Sequence, residues 1–503
     1  MTPSKVALSV IFAIVAIGSL IGFLAGVRRR MDLEQWTVGA RGFGTLLLWL
    51  LMAGETYTTF AFLGASGWAY SKGGPALYIL AYLTLAYVIS YYILPPIWEV
   101  GARHGLQTEP DFFEKRYRNK YLTALVALVG IASIIPYLQL QLTGLGIIVG
   151  VASFDGIGRT LAMAISGFLV TAFVLTSGVR AVAWVSVLKD FLLLFVVVFI
   201  GIAVPRIYYG GIGPMFAALA RAKPAHLTMP GSTPNLGHAW FVSTVLLSSL
   251  GFYMWPHAFG ACYTARSGDV LRRNAVIMPL YTITMPFVFF IGFAALLLAP
   301  GIANGDLALL TVVRQSFPAW FLGLIGGAGA LTAMVPAAVL LLTAAALFAK
   351  NLFRPIFAPS MADDQVARLA KAIVILISLL GLGFAMFSRT SLVSLLLLGY
   401  AGVSQFFPGV MLGLFWKRVT TFGVFAGMTA GLACLVFLFL SQRDPFLGLN
   451  AGFVALCCNV AVAVAASLCS PAMPNGFDEE GSVEPALRRI NPSPRNSRIG
   501  SAS

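Results

Sequence analysis

Polar residues are scarce in this chain, and a few of them sit inside long apolar runs where their chemistry needs an account. One run is interrupted by Gly54-Glu55-Thr56-Tyr57-Thr58-Thr59: a glycine, a carboxylate and four hydroxyl side chains. A second holds the adjacent pair Lys189 and Asp190, and a third carries Ser248, Ser249, Tyr253, Trp255, Pro256 and His257. Tyr137, Gln139 and Gln141 share a fourth, and Ser404 with Gln405 interrupts a fifth. Charged groups at bilayer depth cost about 3 kcal/mol or more unless paired, so Glu55, Lys189 and Asp190 are functional candidates by default. A carboxylate near a cation can take up and release a proton. The freed N–H groups of a broken helix, with hydroxyls around them, can hold a small carboxylate. On these grounds Gly54, Thr56, Tyr57, Thr58, Gln141, Ser248, Ser249, Tyr253 and Ser404 are candidate substrate contacts. Glu55, Lys189, Asp190 and His257 are candidate coupling residues. Plainer readings stand beside these. Lys189 can snorkel to an interface and pair locally with Asp190. A buried Gln141 can serve a helix–helix hydrogen bond instead of a site. His257, read as lying near the cytoplasmic end of its segment, can cap a helix or meet interfacial water instead of relaying a proton.

The elements that must position these residues are membrane helices. Hydrophobic residues make up 59% of the 503, charged residues only 10%, and mean hydropathy is +0.89; soluble domains carry about 25% charged residues. Thirteen apolar segments are read, at 5–27, 43–66, 74–98, 121–152, 158–179, 181–205, 237–261, 275–299, 319–348, 369–388, 391–414, 421–441 and 448–469. The first is longer than a signal-peptide core and is followed at once by Arg28, Arg29 and Arg30, so it is read as an uncleaved span. With the N-terminus outside and the C-terminus cytoplasmic, most of the 33 basic residues fall on the cytoplasmic side, among them Arg41, Arg103, Lys115, Arg116, Arg118, Lys120, Arg180, Arg266, Lys350, Arg354, Lys417 and Arg418. That asymmetry explains the net charge of +15 without any nucleic acid. The five cysteines lack zinc or disulfide spacing. From about Pro471 the chain turns polar and reads as a disordered cytoplasmic tail.

Spans two to six and seven to eleven form two groups of five, and an odd number of crossings inverts the second group relative to the first. Each group opens on a segment rich in helix-breaking residues. The expected architecture is therefore an all-α polytopic membrane protein with a five-plus-five inverted-repeat transporter fold and about 13 transmembrane helices. Its expected parts are a first span and cytoplasmic link (1–42), a first repeat (43–206), a second, inverted repeat (237–414), two C-terminal spans (415–470) and the tail (471–503). Several stretches resemble the solute:sodium symporter family. They are Gly54 to Thr59 with Leu63-Gly64-Ala65-Ser66-Gly67-Trp68-Ala69-Tyr70, Gly178-Val179-Arg180-Ala181-Val182-Ala183-Trp184, Trp255-Pro256-His257 with Arg266, Leu331 to Arg354, and Pro408 with Phe415-Trp416-Lys417-Arg418, Gly423, Gly427 and Gly431. The resemblance covers roughly residues 5–470. The Gly-Glu-x-Tyr-Thr and Trp-Pro-His forms look most like its monocarboxylate permease branch. It implies a secondary transporter in the cell (inner) membrane that imports pyruvate, lactate, acetate or a small amino acid by alternating access.

The resemblance also implies a sodium site, built from backbone carbonyls near Gly54 and Tyr57 and two adjacent hydroxyls on the ninth span. Here the ninth span reads Ala333-Met334-Val335-Pro336, and neither Val335 nor Pro336 offers a side-chain oxygen. A dehydrated hard cation needs several oxygen ligands. The expectation is that the Lys189 ammonium takes the ion's place and pairs with Glu55 or Asp190, which favours proton coupling over sodium. Two further readings are a sodium-coupled symporter of another solute and a transporter-like sensor. No cofactor, metal or nucleic acid is expected. An embedded enzyme is disfavoured, since the four histidines, His104, His226, His238 and His257, make no catalytic cluster.

Overall fold

The computed structural model describes residues 2–26, 41–176, 179–388, 390–473 and 476–477. The arginine run after the first span and nearly all of the expected tail lie outside them. The chain is almost entirely helical: α1 (Pro3–Gly26), α2 (Thr45–Thr56), α3 (Ala65–Ser71), α4 (Tyr78–His104), α5 (Glu109–Tyr117), α6 (Lys120–Ala152), α7 (Arg159–Thr176), α8 (Val179–Tyr209), α9 (Ile212–Ala222), α10 (His238–Gly251) and α11 (Pro256–Cys262). The second half holds α12 (Gly268–Thr282), α13 (Met285–Leu298), α14 (Ala308–Ser316), α15 (Ala319–Ala346), α16 (Arg354–Phe357), α17 (Asp363–Phe387), α18 (Leu392–Val403), α19 (Phe407–Phe415), α20 (Thr421–Leu440) and α21 (Ala451–Cys469). Among the described residues, ten helical stretches are long and apolar enough to cross a membrane, or eleven with the bent pair α2–α3. The other two expected segments are helical but differ in form: α7 is short, and α10–α11 is broken.

The stretch built on α15 is the most enclosed of these, with 89% of its most apolar window buried. Small residues let neighbours reach its backbone. A Cβ on Gly323 would lie 2.7 Å from the Ala7 carbonyl oxygen, so α1 packs there against bare backbone. The first span is thus part of the helical body, resting on α15 and α8.

Both expected breaks are present. α2 ends at Thr56, Tyr57 is extended (φ −88°, ψ 95°), a π-helical turn covers Phe60–Gly64, and the two halves bend by 52°. α10 runs through the 3-10 turn Phe252–Met254 into an extended Trp255 (ψ 127°), and Pro256 opens α11. Proline is suited to that first position because its missing N–H would be unpaired there anyway.

Loops gather at two opposite faces of the helical body. On one, Phe43 bridges Ala265, Arg41 donates to the Leu106 carbonyl, Lys350 meets Asp111, and Thr421 donates to the Tyr117 carbonyl. This basic face therefore gathers the loops that carry Lys115, Arg116, Arg118, Lys120, Arg266, Lys350, Arg354, Lys417 and Arg418. α5 starts there in a capping box between Thr108 and Asp111. Burial works against the Asp111 charge, but Lys350 beside it and bonds from Gln107 N and Asn351 hold the carboxyl below its ordinary value. On the opposite face Asp306 accepts from Leu392 N at the start of α18, and burial raises its carboxyl to about 7.

Candidate transport site

A broken helix exposes backbone groups that nothing in hydrocarbon can satisfy, so each must find a partner in the protein. At the α2 break the partners are side chains. Thr58 Oγ1 accepts from Phe60 N, and Gln141 Oε1 on α6 accepts from Thr59 N (3.4 Å) and from Thr59 Oγ1 (2.7 Å). The freed carbonyls of Gly54 and Tyr57 accept from Lys189 Nζ on α8, at 2.7 and 3.3 Å. The third partner of that ammonium is Asp190 Oδ1 at 3.0 Å, which also accepts from Tyr281 OH on α12 at 2.7 Å. Tyr57 OH lies 2.8 Å from Thr284 Oγ1. Lys189 is 0% exposed, so it does not snorkel. On α15, Ala333, Val335 and Pro336 are buried and bring no side-chain oxygen, and the hydroxyl of Thr332 is bonded to the Ala328 carbonyl.

Glu55 makes a different pair from either expected for Lys189. Its Oε2 is 3.5 Å from His257 Nε2, and both of its oxygens are buried without a hydrogen bond among the described residues. The reading of His257 near the end of its span is corrected by this contact. The break ends α10 early, and Pro256 and His257 open a second short helix in the protein interior, beside the α2 break. Rings hold His257 in place, with Tyr137 at 5.7 Å and Trp255 at 5.7 Å.

Two chambers meet at this pair. One lies toward the basic face and is lined by Glu55, His257, Gln107, Thr108, Val339 and Thr343, among others. The other is aromatic, lined by Glu55, His257, Thr56, Phe60, Tyr82, Tyr137, Phe252, Tyr253, Trp255, Leu396 and Tyr400. Glu55, His257 and Ala261 belong to both linings, so the carboxyl and imidazole form part of the wall between them.

Of the expected substrate contacts, the structure brings Thr56 and Tyr253 into the aromatic chamber together with Glu55 and His257. Gly54, Tyr57, Thr58 and Gln141 instead build the break and its seat for Lys189. Ser249 donates to the Val245 carbonyl, Ser404 donates weakly to the Ala401 carbonyl, and Ser248 is buried; none of the three lines either chamber. Sequence reasoning missed Tyr82, Phe252, Tyr400 and Phe60, which form much of the wall, and Tyr281, which braces Asp190. Buried tyrosines in membrane spans are a usable signal, because each hydroxyl must be placed.

The sodium:solute symporter family model matches residues 36–431. A Bacillus subtilis (strain 168) protein described as the uncharacterized symporter YhjB is 47% identical over 475 residues, covering 92% of this chain and 96% of that protein. A Rhizobium johnstonii monocarboxylate transport permease protein is 26% identical, covering 93% and 97%. Among solved structures, a Na+-coupled sialic acid symporter superposes with a TM-score of 0.78 at 18% identity, covering 93% of this chain and 98% of that one. The nucleobase-cation-symport-1 transporter Mhp1 gives 0.57 at 14%, covering 89% and 98%. At those identities they show the fold alone, the inverted-repeat transporter architecture.

Proposed function

The chain belongs to the sodium:solute symporter family, and from that premise we propose that it is a proton-coupled importer of a small monocarboxylate such as pyruvate, lactate or acetate. The observation that carries the coupling is the Lys189 ammonium, bonded to the Gly54 and Tyr57 carbonyls and neutralised by Asp190. A fixed internal cation occupies the carbonyls that a transported ion would need. Sodium coupling through this position would require side-chain oxygens where α15 has Val335 and Pro336.

The proton carrier in this reading is the Glu55–His257 pair. An anionic substrate in the aromatic chamber would share a small space with Glu55. Two negative charges about 5 Å apart repel by roughly 3 kcal/mol at an effective dielectric constant near 20, a penalty of about a hundredfold in affinity. Substrate therefore binds when Glu55 is protonated, and proton and anion cross together. After the wall between the chambers rearranges, the chamber toward the basic face receives both. The 26% identical monocarboxylate permease supports the cargo, and the short, ring-lined chamber suits a small body with one polar end. The gathering of basic loops on one face supports an N-out, C-in orientation in the cell membrane.

Proteoliposome uptake of labelled pyruvate tests this, with proton and sodium gradients imposed separately. Accumulation is expected under an acid-outside gradient, without sodium. Glu55→Gln is expected to keep substrate counterflow and lose gradient-driven accumulation. Uptake that needs sodium and ignores the pH gradient would overturn the coupling.

A further inference from the structure

Past Ser470 the sequence reads as an unstructured tail, yet Gly476 and Phe477 are seated on the basic face against α5. Phe477 is 2% exposed. Its ring stacks on His104 at 6.1 Å, meets Phe112 edge-on at 5.4 Å and lies under the Arg116 guanidinium at 5.8 Å. Gly476 presses on bare backbone: a Cβ there would sit 2.1 Å from the Lys115 carbonyl oxygen, so the residue before the phenylalanine has to be glycine. The contact does not stop at α5. Phe112 meets Phe259 of α11 edge-on at 5.9 Å, and α11 opens with Pro256 and His257 in the chamber wall. The same α5 carries Asp111, bonded by Lys350 (2.7 Å) and Asn351 (2.8 Å) just beyond α15.

A single ring from the tail thus completes an aromatic chain from Phe477 through Phe112 to Phe259, and so to the helix bearing His257. α5 is nine residues long with three acidic and two basic side chains, so it is no membrane span and can move without breaking one. We propose that the slot formed by His104, Phe112 and Arg116 is a binding site for the chain's own Gly476-Phe477. Seating it clamps α5 on α11 and keeps the chamber shut at the basic face. Withdrawing the ring frees α5 and lets that chamber open. The inference does not depend on what is carried.

Thr343→Cys places a thiol in the lining of that chamber, and its reaction with a maleimide can be followed by peptide mass spectrometry in the full-length protein. Burial of one phenylalanine ring biases an equilibrium by about ten- to a hundredfold. Adding Phe477→Ala should therefore speed labelling at least about tenfold and raise amide exchange in residues 109–117, while Phe477→Trp should stay near the parent rate. Equal labelling and equal α5 exchange in the Phe477→Ala protein would overturn the clamp. So would a loss of protection spread equally over α20 and α21, which would mark the ring as an anchor of the whole fold.

Discussion

Replacing Lys189 by methionine removes a charge while roughly keeping its volume, so the loss is electrostatic and not a cavity. The ammonium has three partners, the Gly54 carbonyl, the Tyr57 carbonyl and Asp190. Without it, both carbonyls at the break lose their donor, and Asp190 keeps only the Tyr281 hydroxyl. Breaking a buried ion pair from one side costs about 3–5 kcal/mol, because the remaining charge is uncompensated. The double variant Lys189→Met with Asp190→Asn has no orphan charge and should recover half or more of that loss. Thermal unfolding of the purified protein in one detergent, for wild type, both single variants and the double, gives the coupling between the two positions. The same samples should be melted with and without sodium. Wild-type Tm should not respond. Lys189→Ala, which leaves two carbonyls and a carboxylate around an open space, should gain a sodium-dependent rise. A Lys189→Met protein as stable as wild type, or a wild type that sodium stabilises, would refute the reasoning that a lysine stands where a cation would.

Other expectations concern the scaffold around the site. Gln141→Leu removes the acceptor for Thr59 N and Thr59 Oγ1, and should cost about 1–3 kcal/mol as a buried unpaired donor, read as a lower Tm with Thr59→Val giving no further loss on top. Asp306 is raised by burial to about 7 from 3.8. A carboxyl raised in the folded state contributes stability that is complete below the unfolded value and is lost as pH rises through the folded one. Tm should accordingly decline between about pH 4 and 7 and level off above that, and Asp306→Asn should flatten the profile; an unchanged slope in the variant would remove Asp306 as the cause.

The membrane architecture was legible because it rests on one-dimensional properties. Long apolar runs, interrupted twice by residues that cannot all satisfy their backbone in a straight helix, announce broken spans, and Gly54–Thr59 and Trp255–His257 are where the breaks lie. Lys189 could be singled out because a lone lysine inside an apolar run is costly wherever it points. Its partners were less legible. Glu55 and Asp190 were equal candidates from spacing. The choice depends on how α8 is rotated against α2, which in turn depends on packing with α1, α12, α13 and α15.

His257 shows the same limit from the other side. Counting residues along the segment 237–261 put it near an end; the break was expected, but not the direction in which it turns the chain, and the residue stands against Glu55. The substrate candidates divided for a related reason. Hydroxyl and amide side chains near a break serve either a ligand or the broken backbone itself, and only the fold shows that Thr58, Gln141 and Lys189 are used by the backbone. The aromatic chamber had no signature of its own, since Tyr82, Tyr400 and Phe252 lie on three separate elements.

The sequence by itself determined that this is a helical membrane protein with its breaks at Gly54–Thr59 and Trp255–Pro256; these follow from composition and from local backbone chemistry, which each segment carries alone. Its resemblance to the solute:sodium symporter family added the transporter class and the sodium site whose hydroxyl pair Val335 and Pro336 replace. Tertiary structure decided that Lys189 answers the carbonyls at the break, that Glu55 meets His257 in the wall between two chambers, and that Phe477 returns to α5. These are contacts between residues separated by roughly 135, 200 and 360 positions, and only packing sets which distant side chains meet.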